Sequence, residues 1–465
     1  MARPSPDDDA AVAAVDDGER PASHCPVAIL GAGLTGMAAA HRLDELGIAH
    51  RLIEREPQPG GLAVTVEERG YRFDRTGHLL HVDDEQIRSL ALRFIGPEVR
   101  QIGRRAAVWS HGVYTRYPFQ ANLHGLPPKV AYQCLLGFLE ARERQLQPGA
   151  TRERPRDFAE YCLRHFGRGI TEHFMVPYNS RLWGVPPTEI TADWCSRFVP
   201  VPTLEDVIAG AVGLADRELG YNARFFYPRK GIGQLSTGLA SEVGAIELGR
   251  SPTAVRAAAR ELVFDDERIS YDVLLSTIPL PRLIGLCQLA PDDVHQAATK
   301  LRATPLHYLD VALRVPCGQP YHWVYVPEAA YPFYRVGCYS NLSADMAPVG
   351  KACLYVELAD RGEPDLPQLL PTVAAGLTEM GMIRSAADIV FARARRIDCA
   401  YVIFDHSYFD ALGVIEPFLS QHHIISRGRY GGWNYSAMAD AIRFGRDAAD
   451  EARRLLAGEP PRGSP

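Results

Sequence analysis

Apolar and polar positions change rhythm several times along the chain, and each rhythm predicts a different element. Val27–Leu30 is an unbroken apolar run. A glycine-rich turn follows over Gly31–Gly36, then helical spacing over Met37–Leu46 and a second short run at Arg51–Glu54. Strand, turn, helix and strand in that order predict a β-α-β unit opening the fold. Between Pro127 and Gly167 apolar residues (Val130, Cys134, Leu135, Phe138, Leu139) recur at helical spacing. This predicts a mostly helical insertion that continues to about Arg197. From Ala303 to Leu358 the period falls to two, as in His307–Val315 and Leu354–Leu358, which predicts a strand-rich region. A last helix, about Ser436–Leu456, follows another glycine-rich turn. Residues 1–24 and 458–465 carry no apolar period and are expected to be disordered.

Composition narrows the class. The chain has 465 residues, 46% hydrophobic and 23% charged, enough for several domains with ordinary cores. A formal charge of −6 argues against a nucleic-acid surface. The first 25 residues hold six acids and two arginines, so the rest of the chain is close to neutral. Only four lysines accompany the arginines, so no arginine is notable by type alone. The nine cysteines include no Cys-x-x-Cys pair, which indicates neither a metal knuckle nor a disulfide framework. Free buried thiols, no metal and a cytoplasmic location are expected. There is no secretory leader pattern and no long apolar run, so no membrane insertion is expected.

Chemistry first appears in the opening turn. Gly31-Ala-Gly33-Leu-Thr-Gly36 follows a strand and opens a helix. Gly31 allows the tight turn, Gly33 lets a pyrophosphate approach the backbone, and Gly36 lets helix and strand pack closely. The helix start offers free N–H groups and a positive dipole end to phosphate. Glu54, at the end of the second strand, is placed to accept from a ribose diol. Together these predict a dinucleotide site.

Glu54-Arg55 leads into Pro59-Gly60-Gly61, and Gly428-Arg429-Tyr430-Gly431-Gly432-Trp433-Asn434-Tyr435 precedes the final helix. Ser276-Thr277-Ile278-Pro279 follows the run Val273–Leu275. These segments, in this order, resemble the glutathione-reductase-like flavoproteins, which include amine oxidases, protoporphyrinogen oxidases and UDP-galactopyranose mutases. Further segments resemble the mutases in particular. They are Thr76-Gly77-His78-Leu79-Leu80-His81, Tyr117-Pro118-Phe119-Gln120-Ala121-Asn122, and Phe174 through Arg197 with Tyr178, Trp183-Gly184 and Glu189-Ile190 between. Pro332–Val336 around Arg335, Ala400–Ile403 around Tyr401, and the six-residue interval from Arg429 to Tyr435 complete the set. Two departures stand out: Ala437-Met438 replaces the mutases' usual Asp before Met, and Phe198–Leu204 is only partly similar.

The resemblance implies an α/β fold: an FAD-binding Rossmann-like domain, an inserted helical domain and an antiparallel β-sheet substrate domain. The expected division is 25–85 with 205–285 and 423–457, then 120–204, then 86–119 with 286–422. It implies FAD held by Gly31, Gly33, Leu34, Thr35, Gly36, Glu54, Arg55, Gly60, Gly61, Leu62, His78, Gly428, Arg429, Tyr435 and Met438, with His81 against the flavin ring. For the substrate, a nucleoside-diphosphate sugar, it implies Phe119, Asn122, Tyr178, Trp183, Arg197, Arg335, Tyr401, Arg429 and Tyr435. Arg197 and Arg335 would clamp the diphosphate, as a guanidinium fork suits phosphate oxygens. The implied activity is a pyranose–furanose mutase that works with reduced flavin, with NAD(P)H as reductant. Two rivals stay open: a flavin oxidase or dehydrogenase of the amine-oxidase or protoporphyrinogen-oxidase type, and a flavin-fold protein that only binds. Many amine oxidases place a lysine near the flavin where this chain has Leu309-Asp310-Val311-Ala312-Leu313, which weakens the first rival. A homo-oligomer is also left open.

Overall fold

The structure, a computed structural model, describes residues 22–149, 153–214 and 223–460, apart from the side chains of Ser196 and Arg197. Ala22–Leu30 runs between His50–Ile53 and Arg268–Ser276, parallel to both. Ile246–Glu247 extends one edge, Ile424–Ser426 adds parallel to Arg268–Ser276, and an antiparallel pair, Ala254–Arg256 with Glu261–Val263, completes the sheet. The apolar run at Val27–Leu30 is explained by burial on both faces: Val27 and Ile29 enter one core cluster, Ala28 and Leu30 another. Ala22–His24, expected in the disordered tail, pair instead with Arg268–Ser270. Backbone pairing there needs no buried side chain, so the strand begins before its apolar run. The first helix is Leu34–Glu45, three residues earlier than its apolar spacing suggests. It packs against the last helix, Met438–Leu456, so closely that a Cβ at Gly445 would lie 2.1 Å from the Thr35 carbonyl oxygen.

The helical stretch comprises Pro128–Leu146, Phe158–Ile170, a π-helical turn at Thr171–Met175, and Val176–Trp183. Short helices follow at Cys195–Phe198 and Leu204–Ala211. A second sheet orders Ile389–Val402, Ala303–Leu313, Ala352–Leu358, Phe333–Cys338, Trp323–Tyr325, Ala106–Ser110 and Val113–Arg116. Its pairs are antiparallel except Trp323–Tyr325 with Ala106–Ser110. Ala352–Leu358 is buried at every position, including Glu357.

The helix Glu85–Ile95, which the expected division gives to the substrate domain from residue 86 on, sends Ile87, Ala91, Phe94 and Ile95 into the core of the first sheet. The reason is a close crossing with the helix Gly233–Ser241, where a Cβ at Gly238 would meet the Phe94 carbonyl oxygen at 1.8 Å. All nine cysteines are unpaired and seven are buried. Among the described residues no helix is long and apolar enough to cross a membrane.

Candidate functional site

The site begins where Ala22–Leu30 ends. Gly31 takes φ +98°, a conformation side chains rarely adopt, and turns the chain into the helix at Leu34. Gly33 caps that helix without a side-chain bond, so the first-turn N–H groups have no capping oxygen. The second glycine pair lies directly across: the Gly60 N–H donates to the Ala32 carbonyl at 2.8 Å, and a Cβ at Gly61 would come within 3.2 Å of the Gly33 Cα. Glu54 is fixed at the strand end, accepting from the Ala32 N–H at 2.6 Å and the Glu56 N–H at 2.9 Å.

These residues form one wall of a groove of about 600 Å³, joined there by Leu34, Thr35, Arg55 and Leu62. Gly36 is not on it; a Cβ there would strike the Gly31 carbonyl oxygen at 1.8 Å, so its role is packing. Arg75–Leu79 form a further wall, and Arg335, Tyr401, Gly428, Arg429, Tyr435 and Met438 complete the lining. The glycine backbone, the ribose-side carboxylate and the size of the groove suit a dinucleotide. His78 lies in this wall. Burial, and then the charge of Arg429, pushes its imidazole down to about 4, so it is neutral at pH 7. Arg429 donates to the Ser436 carbonyl at 2.8 Å and the Ala400 carbonyl at 3.0 Å, so two of its N–H groups are spent on backbone.

A second chamber, about 250 Å³, adjoins the groove; Gly77, Leu79, Arg335 and Tyr435 line both. Its walls are aromatic. Phe174 and Tyr178 stack with centroids 5.4 Å apart, and Trp183 lies 5.9 Å from Tyr435 and 5.2 Å from Trp194. The Tyr178 hydroxyl and the indole N–H groups of Trp183 and Trp194 are buried without partners. No carboxylate lines this chamber among the described residues. Arg335 stands at the junction. Its Nη2 donates to Glu357 Oε1 at 2.7 Å and to the Tyr401 hydroxyl at 2.8 Å, while Glu357 is fully buried. Burial opposes the guanidinium charge, but Glu357 beneath it holds the pKa well above the usual value.

Several expected residues fall elsewhere. His81 lines the second chamber and not the groove; its Nδ1 lies 3.1 Å from the Arg224 carbonyl, and burial pushes it down to about 4. His78, not His81, is therefore the histidine that lines the groove. Phe119 is fully buried and stacks on Phe174 at 4.9 Å, and Asn122 Nδ2 donates to the Pro118 carbonyl at 2.9 Å. Neither lines the groove or the chamber. The 3-10 turn Phe119–Ala121 turns Gln120, with neighbouring Tyr117, to the chamber instead. Arg197 sits in Cys195–Phe198, but its side chain lies outside the described residues. Trp194, Tyr325 and Glu357 went unrecognised in the sequence. A second tryptophan eleven residues after Trp183 was a usable signal; Glu357 had none.

Residues 29–94 match the NAD(P)-binding Rossmann-like domain family. A 177-residue stretch is 27% identical to a Klebsiella pneumoniae protein named "Probable UDP-galactopyranose mutase", covering 37% of this chain and 44% of that one. A 65-residue stretch is 38% identical to the lycopene-forming phytoene desaturase of Pantoea ananas, 14% and 13% of the two chains. These alignments span less than half of either curated relative. The solved structures extend further. Reduced UDP-galactopyranose mutase superposes with a TM-score of 0.85 at 27% identity over 93% of this chain and 96% of that one. Cyclohexylamine oxidase of Brevibacterium oxydans IH-35A superposes with a TM-score of 0.66 at 17% identity, over 93% and 99%, a likeness of fold alone.

Proposed function

The chain is UDP-galactopyranose mutase-like in sequence and in fold, and on that premise we propose that it is a flavin-dependent isomerase interconverting pyranose and furanose forms of a nucleoside-diphosphate sugar. The observation that carries this reading is the junction of the two cavities at Arg335 and Tyr435. A diphosphate held there would have the dinucleotide groove on one side and an aromatic chamber on the other.

FAD fits the groove: backbone N–H groups at Gly33–Thr35 for the pyrophosphate, Glu54 for a ribose, and Gly60 and Gly61 where a side chain would crowd Val64, Ser236 and the Gly33 backbone that shape it. Bound and reduced, the flavin supplies a nucleophilic nitrogen for the anomeric carbon, with NAD(P)H as the proposed reductant. The chain does the rest. Arg335, with Arg197 as its proposed counterpart, takes up the charge of the diphosphate as its bond to the sugar weakens. Tyr178 and Trp183 offer flat faces to a base or sugar and unpaired donors to their oxygens. With no carboxylate in the chamber, nothing among the described lining residues repels the dianion.

The oxidase reading has less support. Asp310 lines neither cavity; its Oδ2 accepts from Arg395 Nε at 2.9 Å. The deciding assay is anaerobic incubation of the dithionite-reduced protein with a panel of nucleoside-diphosphate sugars. Isomeric product at unchanged oxidation state is expected. No sugar isomer there, with stoichiometric hydrogen peroxide from an amine or porphyrinogen substrate in a parallel aerobic assay, would overturn the proposal.

A further inference from the structure

Behind the wall that separates the cavities lies a carboxyl that the proposed reaction does not use. Asp74 ends the strand Tyr71–Asp74 and is almost fully buried, with 1% of its surface exposed. Three segments converge on it. Thr65 Oγ1 donates to Oδ1 at 2.6 Å, the Ile232 N–H to the same oxygen at 3.1 Å, and the Tyr227 hydroxyl to Oδ2 at 2.6 Å. Its own carbonyl accepts from the Tyr339 hydroxyl at 2.7 Å and the Thr76 N–H at 3.0 Å. The next five residues, Arg75–Leu79, are the groove wall.

The row does not end at Tyr227. The same hydroxyl lies 3.8 Å from Met346 Sδ, within reach of a weak hydrogen bond. The bond between Asp74 and Tyr227 can therefore run either way. With the carboxylate ionised, Tyr227 donates to it. With the carboxyl protonated, Oδ2 donates to the Tyr227 oxygen and the phenol proton turns to the sulfur. Both states leave every donor a partner.

We propose that Asp74 is a positioning residue whose proton, accommodated by the row Asp74–Tyr227–Met346, sets how firmly the Arg75–Leu79 wall is held. Burial, opposed by the three donors, raises the carboxyl from 3.8 to about 7. The sign follows from linkage. The closed wall binds the proton more tightly than an opened, hydrated one, so opening releases it and is favoured as pH rises. The wall is tightest when Asp74 is neutral and loosens as pH climbs toward about 7. Of the titratable groups facing Asp74, Tyr227 and Tyr339 are held well above their ordinary range, and Cys353 is raised to about 12. Asp310, paired with Arg395, is raised to about 6, and His78 in the wall itself is pushed down to about 4, so opening at a pH below its free value of 6.5 takes up a proton there, with the opposite sign.

The consequence for ligand binding rests on the cofactor-groove reading, but the test does not. Amide hydrogen exchange of the 75–80 segment is followed in the ligand-free protein from pH 5 to 8.5, corrected for the intrinsic rate. Read in a His78→Gln background, which removes the opposing proton, protection should fall with rising pH, by at most about tenfold per unit for one linked proton, and level off above about 7. In that background Asp74→Asn, whose amide donates to Tyr227 as the neutral carboxyl does, should be flat and as protected as its parent in acid. Any slope left in it belongs to Asp310 and should vanish in Asp74→Asn/Asp310→Asn. A His78→Gln parent without slope, or an Asp74→Asn variant of it with the parent's full slope, overturns the proposal. Should that variant fail to fold, Tyr227→Phe decides: a displaced midpoint supports the row, an unchanged one refutes it.

Discussion

Replacing Arg335 perturbs two things at once, and the structure separates them. Its guanidinium is 19% exposed, whereas Glu357 beneath it is wholly buried. Arg335→Leu would strand that carboxylate, and breaking a buried pair from one side costs about 3–5 kcal/mol of stability. The same substitution removes a charge-assisted contact to a diphosphate, worth about 2–5 kcal/mol, or roughly 30-fold to several thousand-fold in affinity. A single variant cannot tell lost binding from a damaged fold, so the informative protein is Arg335→Leu/Glu357→Leu. Replacing both partners by apolar groups is often neutral, so the double variant should regain most of the stability and none of the affinity. Arg335→Lys should keep much of the pair but lose the planar fork, recovering affinity only in part. The assays are thermal unfolding, flavin content, and calorimetry with a nucleoside diphosphate. Wild-type diphosphate affinity in a folded, flavin-loaded double variant would refute the assignment of Arg335 to substrate. Wild-type stability in Arg335→Leu alone would refute the buried pair.

Gly33→Asp should yield folded protein without flavin, since a carboxylate at the helix start repels the pyrophosphate it should receive; FAD retained on a desalting column would contradict this. For His81, held at about 4 in the fold against 6.5 unfolded, the unfolded chain binds more protons between those values. Its contribution is present above about 6.5 and lost as pH falls toward 4. Denaturant unfolding of His81→Gln should therefore show a shallower loss of stability over that window than the wild type, and identical slopes would refute it.

The parts of the site legible in the sequence are those whose geometry is made locally. A tight turn, a close approach and a helix start must come from consecutive residues, so Gly31, Gly33, Gly36 and Glu54 declare themselves by spacing. Even there the helix begins at Leu34, because the turn's own residues take helical angles that apolar spacing cannot register. Side-chain direction in irregular backbone is decided at a distance. Leu80 and Phe226 exchange backbone hydrogen bonds at 3.2 and 2.9 Å. That contact, 146 residues away in sequence, pins the segment so that His78 faces the groove and His81 the chamber. Phe119 and Gln120 trade places for a similar reason: Phe119 stacks on Phe174, and Gln120 is left to donate to the Pro200 carbonyl at 3.0 Å. Glu357 is the extreme case. In a strand buried at every position, an acid with no visible partner reads as a conflict with the pattern. Its partner, Arg335, lies directly across on the neighbouring strand, a register that only the folded sheet supplies. In this sheet the buried acid of an otherwise apolar strand holds from behind the cation proposed to bind the diphosphate.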